Sequence, residues 1–309
     1  MELMIAVVIM SIISLAVTTM YINTSRNYGK DERIARMQEN GRFALNMMAH
    51  DIVMADFWGE VLDPGGITFG GFNTGATQCN ASILDMEIAL LYYNDDAGTP
   101  MFDPTTCAIL TTPSTTFSAG TNAFLVKRVA NEPASAVETD VVYIRIEGNT
   151  HFLWLDTNDP AAATPAGSTD WAYQPKLYYI RDDAAGVPSL CRAVVTEGTT
   201  TVGFQQVADG ECLAEGIEQL HIEFGLDTDG DLVPNQYKSD ITTAEAETAV
   251  AIRIYLLART ADADTTYTND KTYTLGDLPI PAANDNFYRR VYTTTVVLRN
   301  PKAYIALDQ

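Results

Sequence analysis

From Leu3 to Ile22 the chain reads LMIAVVIMSIISLAVTTMYI, twenty residues without a charge. A helix of that length, at about 1.5 Å per residue, matches the roughly 30 Å hydrocarbon layer of a bilayer. The pattern then changes without a break. From Asp31 to Phe57 the apolar residues Ile34, Met37, Ala44, Leu45, Met48, Ile52 and Ala55 recur at spacings that keep them on one helical face. Arg33, Arg36, Gln38, Arg42 and Asn46 fall mostly off that face, so this half is expected to pack on a globular domain. Gly29 and Gly41 read as soft points, since a helical Gly costs about 1 kcal/mol relative to Ala. Trp58-Gly59 and Asp63-Pro64-Gly65-Gly66 stop the helix. Residues 1–58 are therefore predicted to form one helix, 3–22 in a membrane and 31–57 amphipathic.

Past residue 60 the period shortens to that of strands. Strands are predicted over Phe124 to Arg128, Val141 to Glu147, Lys176 to Arg181, Leu190 to Thr196, Ile217 to Phe224, Val250 to Arg259 and Tyr288 to Arg299. Alternation of Val250, Ile252, Ile254 and Leu256 with Ala251, Arg253, Tyr255 and Leu257 turns Arg253 and Arg259 away from the core. Few helical patterns intervene, so the strands should run antiparallel. Residues 65–122, rich in Gly, Thr, Asn and Asp, read as a loop-rich insertion, and Ala161 to Thr169 and Thr260 to Thr268 as linkers. The expected class is α+β: a long N-terminal helix packed on an antiparallel, β-rich head over residues 59–309.

No basic region precedes the apolar run and no small-residue cleavage site follows it, so it is expected to be retained rather than removed as a secretory signal. Glu2 stands directly before it. A carboxylate in hydrocarbon costs at least a few kcal/mol without a positive partner; at the membrane edge it would rest among headgroups. Glu2-Leu3-Met4-Ile5-Ala6-Val7-Val8-Ile9 resembles the start of a mature type IV pilin, where a Glu opens the long apolar helix. Ala35-Arg36-Met37-Gln38-Glu39-Asn40-Gly41-Arg42-Phe43-Ala44-Leu45 narrows the resemblance to PilW-like minor pilins. It continues in Tyr178-Tyr179-Ile180-Arg181, Leu190-Cys191-Arg192, Leu213-Ala214-Glu215-Gly216-Ile217-Glu218, Ala251 through Arg259 and Arg290 through Asn300.

The resemblance implies the type IV pilin fold, with Glu2, Leu3, Ile5 and Val8 as assembly residues. It also implies leader cleavage and methylation of the new amine, with the leader and the first mature residues lying ahead of Met1. The implied partners are other pilins, major and minor, met through the N-terminal helix, and an inner-membrane assembly platform. The implied location is the bacterial inner membrane with a periplasmic head, then the extracellular pilus.

The 309 residues carry 19 Lys plus Arg against 40 Asp plus Glu, a formal charge of −21, which repels a phosphate backbone and argues against nucleic acid as a partner. Residues 1–60 hold five basic and seven acidic side chains, so the acidic excess belongs to the head. The even cysteine count fits disulfides in an oxidising compartment. Of three connectivities, Cys79–Cys107 with Cys191–Cys212 is the expected one, each bridge contributing roughly 3 kcal/mol by the chain-entropy account. No C-x-x-C pair occurs and His50, His151 and His221 are scattered, which argues against zinc.

Asp227-Thr228-Asp229-Gly230-Asp231-Leu232-Val233-Pro234-Asn235 is the stretch with site chemistry. Calcium takes six to eight oxygens, and alternating Asp around a Gly turn aims carboxylates at one point. Asp227, Asp229, Asp231 and Asn235 are the candidate ligands. The EF-hand pattern is incomplete, with Lys238 at the twelfth place and Leu232 at the sixth, and the stretch reads equally as a solvated acidic hairpin turn. Nucleophile, zinc-protease and P-loop motifs are absent from the sequence, so an enzyme is not expected. The leading expectation is a minor pilin of a priming or tip complex. Its alternatives are a J-type pseudopilin of type II secretion, the main subunit of a filament, and a membrane-anchored calcium-dependent binding module.

Overall fold

The structure, a computed structural model, describes residues 2–69, 84–93, 121–138, 141–155, 166–183, 186–197, 202–204, 211–246, 248–299 and 304–308. Helix α1 (Glu2–Val53) is a single rod of 52 residues. It ends four residues short of Phe57. Asp56 takes φ 63° and Gly59 φ 67°, and these left-handed residues turn the chain off the helix axis. At Gly59 a Cβ would also fall 2.7 Å from the Trp171 ring.

The strands are β1 (Thr68–Phe69), β2 (Ile88–Tyr93), β3 (Ala123–Val126), β4 (Val142–Glu147), β5 (Thr150–Leu155), β6 (Ser168–Ala172), β7 (Lys176–Asp182), β8 (Pro188–Glu197) and β9 (Val202–Phe204). There follow β10 (Glu211–Glu215), β11 (Ile217–Leu226), β12 (Gln236–Lys238), β13 (Ala249–Arg259), β14 (Tyr273–Leu275), β15 (Leu278–Ile280), β16 (Arg289–Val297) and β17 (Tyr304–Asp308). An outer sheet has the order β1-β5-β4-β6, a central sheet β10-β8-β7-β3-β2-β17 with β9 on β8, and a helix-side sheet β12-β11-β13-β16; β14 and β15 form a separate hairpin.

Two cores result. In the first, Met37, Ala44, Met48 and Ile52 of α1 join Leu220, Ile222, Ile252 and Ile254 of the helix-side sheet and Tyr92, Phe124, Tyr178 and Ile180 of the central sheet. In the second, the other face of the central sheet, through Leu91, Leu125, Leu177 and Tyr179, meets Ile144, Leu153 and Trp171 of the outer sheet. The central strands are thus buried on both faces, which is why IALLYY, AFLV and LYYI read as unbroken apolar runs rather than alternating ones.

All seven predicted strands form, and their mutual pairings are antiparallel. Two pairings among strands outside those seven are parallel: β1 with β5 and β17 with β2. Strand β2 lies inside the segment read as loop-rich, and Ser168–Ala172 begins within the segment read as a linker. Cys191 and Cys212 face each other across β8 and β10 and are disulfide-bonded, as expected. Cys79 and Cys107 lie outside the described residues.

Gly41 is no soft point. It sits buried on the packed face of α1, where a Cβ would come within 2.7 Å of the Tyr292 ring on β16, so its lack of a side chain lets helix and sheet approach. Gly29 has nothing within 4 Å.

Candidate functional site

Every residue of α1 from Glu2 to Tyr28 is exposed, whereas burial begins in earnest at Met37. At about 1.5 Å per residue, some 40 Å of helix therefore stands clear of the head. Its apolar run is long enough to cross a membrane, and among the described residues nothing covers it. Three hydroxyls inside it are already satisfied: Ser11, Thr18 and Thr19 donate to the carbonyls of Val8, Ser14 and Ala16 at 2.7, 2.8 and 2.9 Å. That removes much of the cost of placing them in lipid. Leu3, Ile5 and Val8 are among the exposed apolar residues, with Leu3 at 78%, so the four predicted assembly residues share the free end of the rod.

Where the rod meets the head, polar contacts hold it. Lys30 lies over the Tyr288 ring, 5.1 Å from its centroid. Arg33 donates to the Ala263 carbonyl at 3.4 Å and stands 3.6 Å from Asp264. The Asn40 amide donates to the Glu215 carbonyl at 2.9 Å. The last turn carries the strongest tie. Asp51, buried on the apolar stripe, accepts from Arg128 Nη2 at 3.1 Å, from Lys176 Nζ at 2.8 Å and from the Tyr178 hydroxyl. Burial pushes the Asp51 carboxyl up, but the bonds from Lys176 and Tyr178 and the two cationic charges outweigh it and hold the group below its ordinary value. Burial lowers Lys176, with Asp51 opposing the shift. This cluster ties the last turn of α1 to β7 and to Arg128, just past β3. The sequence carried one signal of it: an acid at 51 between Met48 and Ile52, on the face meant for the core.

The Asp227 loop folds as a tight turn after β11. One nearly buried carboxylate, Asp227, accepts from the amides of Asp229, Gly230 and Leu232 at 3.2, 2.7 and 2.8 Å. Burial raises its pKa, and these three amide donors bring it below the ordinary carboxylate range. Oxygens of Asp227, Asp229 and Asp231 lie within 4.8 Å of one another. Asn235 is turned instead toward Thr228, whose amide and hydroxyl donate to its Oδ1 at 3.1 and 3.0 Å. Lys238 bonds Glu245. The fold therefore gathers three of the four candidate calcium ligands.

Arg253 and Arg259 lie off the core, as expected, stacked on Tyr237 and Phe287 at 3.5 and 4.2 Å from the ring centroids.

No curated protein and no solved structure matches the chain. Residues 177–300, from the start of β7 past the end of β16, match the family model described as Type IV Pilus-assembly protein W. That span holds the motifs from Tyr178 to Arg299 and leaves out the helical one at 35–45. The match covers less than half of the chain; together with the uncovered apolar rod and the sheet-rich head on which it is anchored, it makes the chain similar to the minor-pilin-like proteins of type IV pilus assembly.

Proposed function

We propose that this chain is a minor pilin that starts or caps a type IV pilus, entering the fibre through its N-terminal helix. The observation that carries the reading is the rod itself: it stays apolar from Leu3 to Ile22 and projects beyond the head, with nothing among the described residues covering it. Such a surface is stable in lipid or against the like helices of neighbouring subunits. Before assembly the rod would hold the protein in the inner membrane with the head in the periplasm. In the fibre, Glu2 would meet the N-terminal amine of an adjacent subunit in a low-dielectric core, an ion pair that sets axial register. The acidic head, larger than a repeating subunit needs, fits a tip or priming position where bulk does not obstruct stacking.

Glu2→Ala is the direct test. Among the described residues the head contributes no contact to Glu2, so its melting temperature should be unchanged while recovery in sheared pili and co-purification with partner pilins fall at least about tenfold, the scale of one lost low-dielectric ion pair. Normal pilus recovery together with normal co-purification would refute the reading.

The convergence of Asp227, Asp229 and Asp231 favours a second property of the same head, a calcium ion in that loop that stiffens the β11–β12 connection. Calcium should then raise the melting temperature of the wild type but not of Asp229→Ala. Equal melting curves with calcium and with chelator would leave the loop as a hydrogen-bonded turn.

A further inference from the structure

Strand β11 sends Leu220, Ile222 and Phe224 into the first core. His221 and Glu223 alternate with them and are covered instead by the tip of the β14–β15 hairpin. The cover is close: at Gly276, φ 62°, a Cβ would strike the Glu223 carboxylate and approach the Tyr255 ring at 3.0 Å. Only Gly tolerates both the left-handed backbone and that approach. The next residue, Asp277, places its Oδ1 2.7 Å from His221 Nε2. One nitrogen of His221 and one oxygen each of Glu223 and Asp277 lie within 4.8 Å of one another.

We propose that His221, Glu223 and Asp277 bind a divalent transition-metal ion of the zinc class, which staples the β14–β15 hairpin onto β11. An imidazole with two carboxylates is a donor set for zinc and its neighbours rather than for calcium or magnesium, which take oxygen alone. Each ligand has an outer partner, as metal ligands do. Ser239 donates to Asp277 Oδ2 at 2.6 Å and Tyr255 to Glu223 Oε2 at 2.9 Å, while His221 Nδ1 faces the Tyr92 hydroxyl at 3.4 Å. Two carboxylates share the site with one nearby guanidinium, Arg253, 3.6 Å from Glu223, so a dication offsets the remaining negative charge. His221 is fully buried, but Asp277 is 52% exposed, which gives the ion a way in from solvent. Coordination requires the Nε2 lone pair. The ring then carries its proton on Nδ1, which faces the Tyr92 hydroxyl and the Asn122 amide at 3.4 Å each, the amide turning its oxygen to accept, and any second imidazole proton is released to solvent.

The test uses the full chain in detergent, stripped of metal with a chelator and titrated with Co²⁺ while the visible ligand-field absorption is followed, Zn²⁺ serving as competitor. One saturable ion per chain, displaced by Zn²⁺, is expected. Asp277→Asn keeps the shape of the exposed tip and should weaken Co²⁺ binding at least about tenfold; His221→Gln should abolish the band. Asp229→Asn, in the acidic loop, should leave the titration unchanged, which separates this site from the calcium reading. Absence of a saturable Co²⁺ spectrum, or wild-type affinity in Asp277→Asn, would overturn the proposal. Should His221→Gln not fold, Asp277→Asn alone decides it.

Discussion

Asp51→Ala is expected to destabilise the head by about 3–5 kcal/mol, because it strands two cations in a site built around one carboxylate. Asp51 and Arg128 have side-chain exposures of 3% and 6%, and Lys176 of 16%. Asp51 and Arg128 have almost no access to water as packed, while Lys176 keeps a partly exposed edge. Arg128 keeps its bonds to the Val129 carbonyl and Asn131 at 3.1 and 3.0 Å, so Lys176 and the Tyr178 hydroxyl lose most. Far-UV circular dichroism should still report α1, since the intrahelical bonds remain, while urea or thermal melts of the head shift downward. Asp51→Asn, which keeps the shape and one acceptor, should cost less than the alanine. The pH dependence has a definite sign. Because the folded-state pKa of Asp51 is depressed, its contribution is complete above the unfolded carboxylate value of about 3.9 and is lost as pH falls through the lower folded value. The alanine variant should therefore show a flatter loss of stability on acidification than the wild type. Equal melts at neutral pH would mean that the cluster is ornamental and that apolar packing alone sets the rod on the head.

That cluster also marks where sequence reasoning stops. The rod was legible because its two halves announce themselves by different patterns, twenty uncharged residues and then a stripe. Strands such as Ala249–Arg259 were legible because one face is wholly buried while the other keeps Arg253, Tyr255 and Arg259 only partly so, which writes a period of two into the residue order. Strand β2 was not. Buried on both faces, Ile88–Tyr93 shows no alternation, and a six-residue apolar run among Gly, Thr and Asn does not declare its pairing. Its neighbour β17 pairs with it in parallel from more than two hundred residues away, information that no local pattern contains. The acidic loop was readable as a gathering of carboxylates, but the partner chosen by Asn235 depended on the turn that the loop makes. His221 looked like one of three scattered histidines because Asp277 is brought to it by a hairpin 56 positions later. Only the tip Leu275-Gly276-Asp277-Leu278 was a local hint, a two-residue turn of the kind that closes hairpins.

The second large effect is expected at Arg145 and Asp170, in the outer sheet and far from the rod. The two face each other across β4 and β6. Arg145 Nε and Nη2 donate to Asp170 Oδ1 and Oδ2 at 2.7 and 3.0 Å, a bidentate fork, and Trp154 Nε1 adds a bond to Oδ1 at 3.1 Å. The guanidinium also stacks over the Trp154 ring, 4.2 Å from its centroid. Both side chains are essentially buried, so Asp170→Ala removes the carboxylate that the guanidinium and the indole N–H share and should cost about 3–5 kcal/mol. Arg145→Met removes the charge from the other side and leaves Asp170 with the indole as a remaining donor, at a similar cost. The double variant Arg145→Met, Asp170→Leu decides between two accounts of the pair. If its role is charge satisfaction, the double variant recovers most of the loss, since apolar residues of like volume can replace a buried ion pair at little cost. If the fork instead fixes the register of β4 against β6, the double variant stays as unstable as either single one. Recovery is the expected result, measured as a coupling energy in a double-mutant cycle of urea melts, because β4 is also held in register by β5 on its other edge. A coupling near zero would mean that Arg145 and Asp170 act independently, each through its own contacts with Trp154.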